Sequence, residues 1–304
     1  MCRLLASLLS FVLAVLIAPP ACAVAVTLNV VSVNLLHFGQ GSTTAQKCAQ
    51  LNALAQTTDV ILIQELMTSA YPCDAVVPRP AGFLWQPALP PGQGSYTEYF
   101  GVLYANTAAG HARLALTTTA PPTLAPNTFS RPPAALLFYA SPAAGGAGRY
   151  VWLVNVHSIW GDVVGPRQQE ARAAAAFGIQ LRSSTAMVPG SNPPYQLNGA
   201  TPVLFGGDWN LETNRANGSV NPGFSVFSAN QFAFAPNNQT SLTPPGNLSK
   251  RYDHFVYSTG PAAAAALTVA TPQRLPCPPA GFPCQPWRNN VSDHLGIRTI
   301  VGIP

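Results

Sequence analysis

Eight short apolar runs, each closed by turn residues, recur from one end of this chain to the other. They cover residues 26–34, 59–65, 99–105, 134–140, 150–157, 202–208, 252–258 and 295–301. Runs of this length between Gly, Pro, Asn and Asp clusters predict buried strands. Two stretches read instead as helices. Residues 43–56 place Cys48, Leu51, Leu54 and Ala55 on one face, with Thr43 or Thr44 as the cap. Residues 166–183 open on a proline and run through an alanine-rich centre. Strands outnumber helices, which predicts an α/β architecture of two mixed β-sheets packed together and flanked by helices.

The Pro-, Gly- and Asn-rich segments around 87–94, 189–200, 214–223 and 272–286 read as loops. None has the length or bias of an interdomain linker, and no internal repeat is visible. Residues 26–304 are therefore expected to form one domain. Residues 1–25 stand apart, because Arg3, an apolar stretch from Leu4 to Ile17 and small residues at 21–25 follow the order of a secretory signal peptide. No later segment is apolar for long enough to cross a bilayer. The expectation is a secreted protein that has no membrane contact after cleavage and needs no obligate protein partner.

Cysteine usage agrees with export. Cys48, Cys73, Cys277 and Cys284 follow the leader, an even number suited to an oxidising compartment. Of three possible pairings, Cys277 with Cys284 and Cys48 with Cys73 is preferred, since the first two lie close along a proline-rich loop. Zinc is the alternative, but neither CxxC spacing nor a flanking histidine supports it.

The polar residues that can do chemistry sit where the apolar runs stop. Asn34 ends the first, Glu65 the second, His157 the fifth and Asp208 the sixth, with Asn210 two residues on. A buried strand that finishes in a carboxylate or an imidazole delivers that group to the rim of a sheet, where side chains from several strands converge. The chain has only 10 acids and 5 histidines to place, so this repeated placement is informative. Lys and Arg number 15, and that basic excess fits a polyanionic partner.

The series Val33-Asn34, Ile63-Gln64-Glu65, Asn155-Val156-His157-Ser158, Gly206-Gly207-Asp208-Trp209-Asn210, Tyr252-Asp253-His254 and Ser292-Asp293-His294 is similar, in order and spacing, to the motifs of the endonuclease/exonuclease/phosphatase superfamily. Two further segments, Ser95-Tyr96-Thr97-Glu98-Tyr99 and Thr128-Phe129-Ser130-Arg131-Pro132, resemble stretches of the secreted pancreatic-type deoxyribonucleases. The resemblance implies a four-layer, deoxyribonuclease-like sandwich. It also implies a divalent-metal-dependent endonuclease that acts on DNA, and on RNA as a further substrate, to leave 5′-phosphate ends. His254 departs from the pattern, standing where the pancreatic-type enzymes carry an arginine.

The roles that follow are chemically coherent. Phosphodiester hydrolysis needs negative charge neutralised and a water deprotonated and aimed in line. Glu65 is the expected primary ligand for Mg2+, with Asn34 and Asp293 beside it, since hard cations prefer oxygen donors; Mn2+ and Ca2+ are the other ions considered. His157 and His294 form the expected acid–base pair. By resemblance Glu98 orients His157 and Asp253 orients His294. Asp208 and Asn210, two apart, can face one phosphate. Arg131, Thr240 and Tyr96 are the expected substrate contacts. Three alternatives keep parts of this scheme: a sphingomyelinase-like phospholipid phosphodiesterase, a hydrolase of small phosphate esters, and a nucleic-acid-binding or toxin-type module without catalysis.

Overall fold

The computed structural model describes residues 25–88, 98–120, 128–190, 196–235, 238–260, 266–277 and 283–304. Residues 1–24, all but the last of the expected leader, and Tyr96 lie outside the described residues. In chain order the elements are β1 (Val26–Phe38), α1 (Thr44–Ala55), β2 (Val60–Leu66), β3 (Phe83–Ala88), β4 (Tyr99–Ala105), β5 (Arg113–Ala120), β6 (Ala134–Ser141) and β7 (Arg149–His157). They continue with α2 (Val164–Arg182), β8 (Val203–Asp208), α3 (Ser225–Ala229), β9 (Phe232–Phe234), β10 (Asp253–Ser258), β11 (Thr268–Val269), β12 (Gln273–Arg274), α4 (Gln285–Asn290) and β13 (Ile297–Ile303).

The strands form two sheets. One has the order β11-β13-β1-β2-β4-β3, with β12 also on β13; the other runs β5-β6-β7-β8-β10-β9. Each sheet is built around one parallel pair, β1 with β2 and β7 with β8, joined by a connection that carries a helix, and antiparallel strands flank it. A parallel pair needs such a crossover, so α1 and α2 fall on the outer faces.

Three apolar clusters follow from this layering. Val30, Leu62, Val102, Leu136, Leu153 and Phe255 fill the space between the sheets. Val31, Ile61 and Ile63 on the other side of the first sheet meet Cys48 and Leu51 of α1. Trp152, Val154 and Phe205 on the outer side of the second meet Ala171, Ala174 and Phe177 of α2. Central strands are thus buried on both faces, which is why they read as continuous apolar runs rather than as alternating ones. The result is helix, sheet, sheet, helix, as expected.

All eight expected strands form, within a few residues of the expected bounds. The reading missed β3, β5, β9, β11, β12 and the short α3 and α4. β5 (RLALTTTA) is an edge strand with threonines on its half-exposed positions, and β3 contains Pro87, so neither carries an unbroken apolar run. The threonine cap on α1 does not form: Thr43 makes no side-chain cap, and the Thr44 hydroxyl instead donates to the Gly41 carbonyl at 3.2 Å. Both disulfides pair as expected, Cys48 with Cys73 and Cys277 with Cys284. Among the described residues no helix is long and apolar enough to cross a membrane.

Candidate active site

Strand register brings the chemistry together. In the second sheet His157 pairs with Asp208, and Asp208 pairs with Asp253, so the three lie level on adjacent strands. Alternation then sets their direction. Asn155, Gly206 and Phe255, each two residues away on its own strand, all face the first sheet: Asn155 bonds Gln64, Gly206 abuts Leu62, and Phe255 lies in the inter-sheet core. His157, Asp208 and Asp253 therefore point the same way, at the rim. The glycine pair is dictated by closeness, since a Cβ on Gly207 would lie 2.0 Å from the Val156 carbonyl oxygen and one on Gly206 would lie 2.8 Å from Phe255.

Across the cleft, Asn34 continues the inward face of β1. Glu65 does not follow from alternation, because Ile63 and Leu66 both pack on the outer side. A register shift between Ile63 and Leu66, with Glu65 in the left-handed region at φ 58°, turns its carboxylate inward. Asn210 is held in the same region at φ 48°. Left-handed backbone is costly for residues other than glycine and concentrates at functional sites.

The Asn34 amide nitrogen donates to Glu65 Oε1 at 2.9 Å and to Asp208 Oδ2 at 3.2 Å, and its oxygen accepts from the Leu36 N–H at 2.9 Å. It thus holds two carboxylates together through its N–H groups. The second Glu65 oxygen accepts from the His37 N–H at 3.1 Å. His157 Nε2 lies 3.9 Å from Glu65 and 3.7 Å from Asp208 Oδ2, while its Nδ1 is bonded to Glu98. His294 Nε2 lies 3.4 Å from the same Asp208 oxygen, and its Nδ1 is 2.8 Å from Asp253. Asp208 Oδ1 accepts from the Asn210 N–H at 2.8 Å, and the Asn210 amide donates to the Ser158 carbonyl at 3.0 Å.

Both imidazoles are buried, which by itself disfavours their charged form. The Glu98 carboxylate outweighs that burial at His157 and raises its pKa; Asp208 and Asp253 carry His294 well above 6.5. Burial likewise opposes ionisation of Asp208, but the His294 and His157 charges and the bonds from Asn210 and Asn34 hold its carboxyl below the ordinary range. Glu98 is held low in the same way, against burial, by His157 and Arg131.

Glu65, Arg131, His157, Asp208, Asp293 and His294 line one cleft of about 430 Å³, together with Asn210, Lys250 and others. Arg131 reaches it with its guanidinium partly committed, 2.7 Å from Glu98 and bonded to the His157 and Ser158 carbonyls. Thr240 is buried behind the site and accepts from the Asp253 N–H at 3.2 Å; its neighbour Ser241 faces the cleft instead. His254 points away into the outer core, 2.9 Å from the Leu211 carbonyl, and burial lowers its pKa to about 4.

The donor set suits a hard cation. Glu65 and Asp293 both offer carboxylate oxygens to the cleft, and Asp293 Oδ1 is buried with no hydrogen-bond partner among the described residues. Asp208, Asp253 and His294 also place donor atoms within 4.8 Å of one another. His294 Nδ1 is already bonded to Asp253, however, so that trio serves better as an oriented imidazole than as a cage.

Several residues escaped the sequence reading. Lys47 of α1 is buried beneath the site, donates to the Leu36 carbonyl, and feels the charges of Glu65 and Asp293. With Lys250, which lines the cleft, it makes up the full complement of lysines in an arginine-biased chain. Glu170 of α2 is buried and accepts from the Ser130 N–H at 2.6 Å and the Ile159 N–H at 2.7 Å, pinning the loops that flank His157. Tyr252 stacks on the His294 ring at 6.5 Å between centroids.

Comparison with known proteins follows the same line. No curated protein matches the sequence. Among solved structures, an endonuclease/exonuclease/phosphatase family protein from Bacteroides thetaiotaomicron is 14% identical at a TM-score of 0.55, covering 92% of this chain and 99% of its own. The catalytic domain of human Nocturnin, solved with a bound sulfate anion, is 16% identical at 0.57, covering 91% and 93%. A mannosyl-6-phosphatase from Bacteroides thetaiotaomicron is 15% identical at 0.53, covering 90% and 99%. At such identities the likeness is one of fold. The sequence from residue 31 to 294 matches the model of the Endonuclease/Exonuclease/phosphatase family, and the chain belongs to that family.

Proposed function

We propose that this protein is a divalent-metal-dependent phosphodiesterase that hydrolyses nucleic acid, DNA foremost, to 5′-phosphate products. Members of its family are metal-dependent phosphoesterases, and the observation that supports a hydrolytic site of that kind here is the meeting of Glu65, Asp208, His157 and His294 in one cleft. Two oriented imidazoles across a carboxylate suit an acid and a base acting on opposite sides of one phosphorus.

Glu65 and Asp293 would hold the cation, with Mg2+ the first choice; when bound it supplies positive charge against the phosphate oxygens. The Asn34 amide fixes the Glu65 carboxylate and bridges it to Asp208. Glu98 and Asp253 occupy Nδ1 of His157 and His294, so each ring presents Nε2 to the cleft and exchanges protons there. Asp208, between the two Nε2 atoms, positions the attacking water. The Asn210 amide and the free part of the Arg131 guanidinium lie where a phosphate oxygen would be received. Secretion through the leader at 1–25, with the two disulfides formed outside the cytosol, completes the reading.

The experiment is digestion of a plasmid and of a single-stranded oligonucleotide with and without a chelator, with Mg2+, Mn2+ and Ca2+ restored separately. Chelator-sensitive cleavage with 5′-phosphate ends is expected. Hydrolysis of sphingomyelin vesicles or of sugar phosphates, with nucleic acid left intact, would replace this reading by one of the alternatives.

A further inference from the structure

The start of the loop that follows His157 is pinned by hydrogen bonds and leads to a bare indole. The Ser158 N–H donates to the Asp208 carbonyl at 2.9 Å, and the Ser158 carbonyl accepts from Arg131 and from Asn210, each at 3.0 Å. The next N–H, of Ile159, is held by buried Glu170 at 2.7 Å. Trp160 comes directly afterwards and is 70% exposed, although tryptophan is among the side chains with most to gain from burial. Among the described residues its ring stacks on no other. It lines the same cleft as His157, Asp208 and His294, with the cations Arg131 and Lys250 in that lining.

An exposed aromatic plane in a cleft that also holds Arg131, Lys250 and the two imidazoles fits a ligand that alternates anionic groups with flat apolar ones. A nucleic acid strand has that chemistry, with phosphates for the cations and a base for the indole. We propose that Trp160 is the stacking platform for the base next to the scissile phosphate. The enzyme therefore prefers strands whose bases are unpaired over continuous duplex, where every base face is already covered. This rests on the phosphodiesterase reading above and names its substrate class more closely.

Steady-state kinetics on three substrates of one sequence test it: a single strand, the same strand with the bases removed around the cleavage site, and the duplex. Wild type should show its lowest KM on the intact single strand. Trp160→Ala should raise that KM about tenfold, the scale of one lost base–aromatic stack, leave kcat within about twofold, and leave the KM of the abasic strand unchanged. Trp160→Phe should restore most of the loss. Equal effects on the intact and abasic strands, or no effect on either, would overturn the proposal. So would Trp160-dependent binding to lipid vesicles in place of oligonucleotide. Quenching of tryptophan emission by the oligonucleotide in chelator, lost in Trp160→Ala, reports the stack without turnover. Quenching without any hydrolysis would retain the platform and reject the catalytic reading; hydrolysis without quenching would do the reverse.

Discussion

His157 and His294 aim their Nε2 atoms at a single oxygen, Oδ2 of Asp208, from 3.7 and 3.4 Å. One carboxylate thus sits between two imidazoles whose far sides are each taken by another carboxylate, Glu98 and Asp253. Two imidazole Nε2 atoms are kept facing each other across a gap that the Asp208 carboxylate occupies.

Asp208→Asn removes that charge while keeping the shape. Turnover of a nucleic acid substrate should fall by about two orders of magnitude or more, the usual scale for losing a group that positions proton transfer. A rapid-quench assay returning wild-type rates would remove Asp208 from the mechanism.

Glu98→Gln leaves a hydrogen-bonding group at His157 Nδ1 but takes away the charge that raises its pKa. An orienting carboxylate of this kind is worth about 10²- to 10⁴-fold in rate. The expected signature is a loss in kcat together with a pH–rate profile displaced downward, because the main charge that opposes burial at His157 is then gone and only Asp208 still raises its pKa. A kcat loss with an unmoved profile would count against the orienting role.

The raised pKa values of His157 and His294 also bear on stability. Each ring binds its proton more tightly in the folded than in the unfolded chain, so the stabilisation is complete below the unfolded value and fades as pH rises through the folded one. The metal-free protein should therefore lose Tm with rising pH above about 6.5. His294→Asn should flatten that slope. A melting series in chelator that rises over the same range would contradict it.

Glu170→Gln should cost about 1.5–3 kcal/mol, since one of the two charge-assisted bonds that the buried carboxylate accepts from the Ser130 and Ile159 N–H groups must be lost. Denaturant unfolding measures this directly. The same variant should lower activity more than a destabilised but intact fold would, because Ser130 and Ile159 stand beside Arg131 and Trp160.

Removing the Cys48–Cys73 bridge should cost roughly 3.5 kcal/mol by the loop-entropy argument for 25 residues of separation. Cys48→Ala/Cys73→Ala should unfold at correspondingly lower denaturant. The bridge ties α1, which carries Lys47, to the segment beyond Glu65, so weaker cation binding is expected as well.

Much of this was visible in the sequence, for one physical reason. Strands buried on both faces are largely apolar, so a polar residue at the end of such a run has been placed at a rim, and Asn34, His157 and Asp208 were legible on that ground. Glu65 was found at a strand end as well, but its inward direction depends on a register shift that no residue pattern announces. Asn34 was expected to offer its oxygen to a cation, whereas its N–H groups face the carboxylates; an amide's orientation is decided by neighbours, here the Leu36 N–H. Thr240 was expected at the phosphate and lies behind Asp253, one residue from the side chain that does face the cleft. Lys47 and Glu170 stayed hidden because a charged residue on a helix reads as solvated until the layer it packs against is known. Edge strands such as β5 were missed because only one of their faces is covered.

The turned backbone at Glu65 has an evolutionary consequence. Left-handed geometry at a residue with a side chain carries a penalty of about 1–2 kcal/mol that glycine does not pay. Selection for robustness alone would drift this position toward glycine and empty the cleft of its first carboxylate. A glutamate that persists there in related sequences would mark a lineage still under pressure to act on its substrate; a glycine would mark one that has kept the scaffold and given up the reaction.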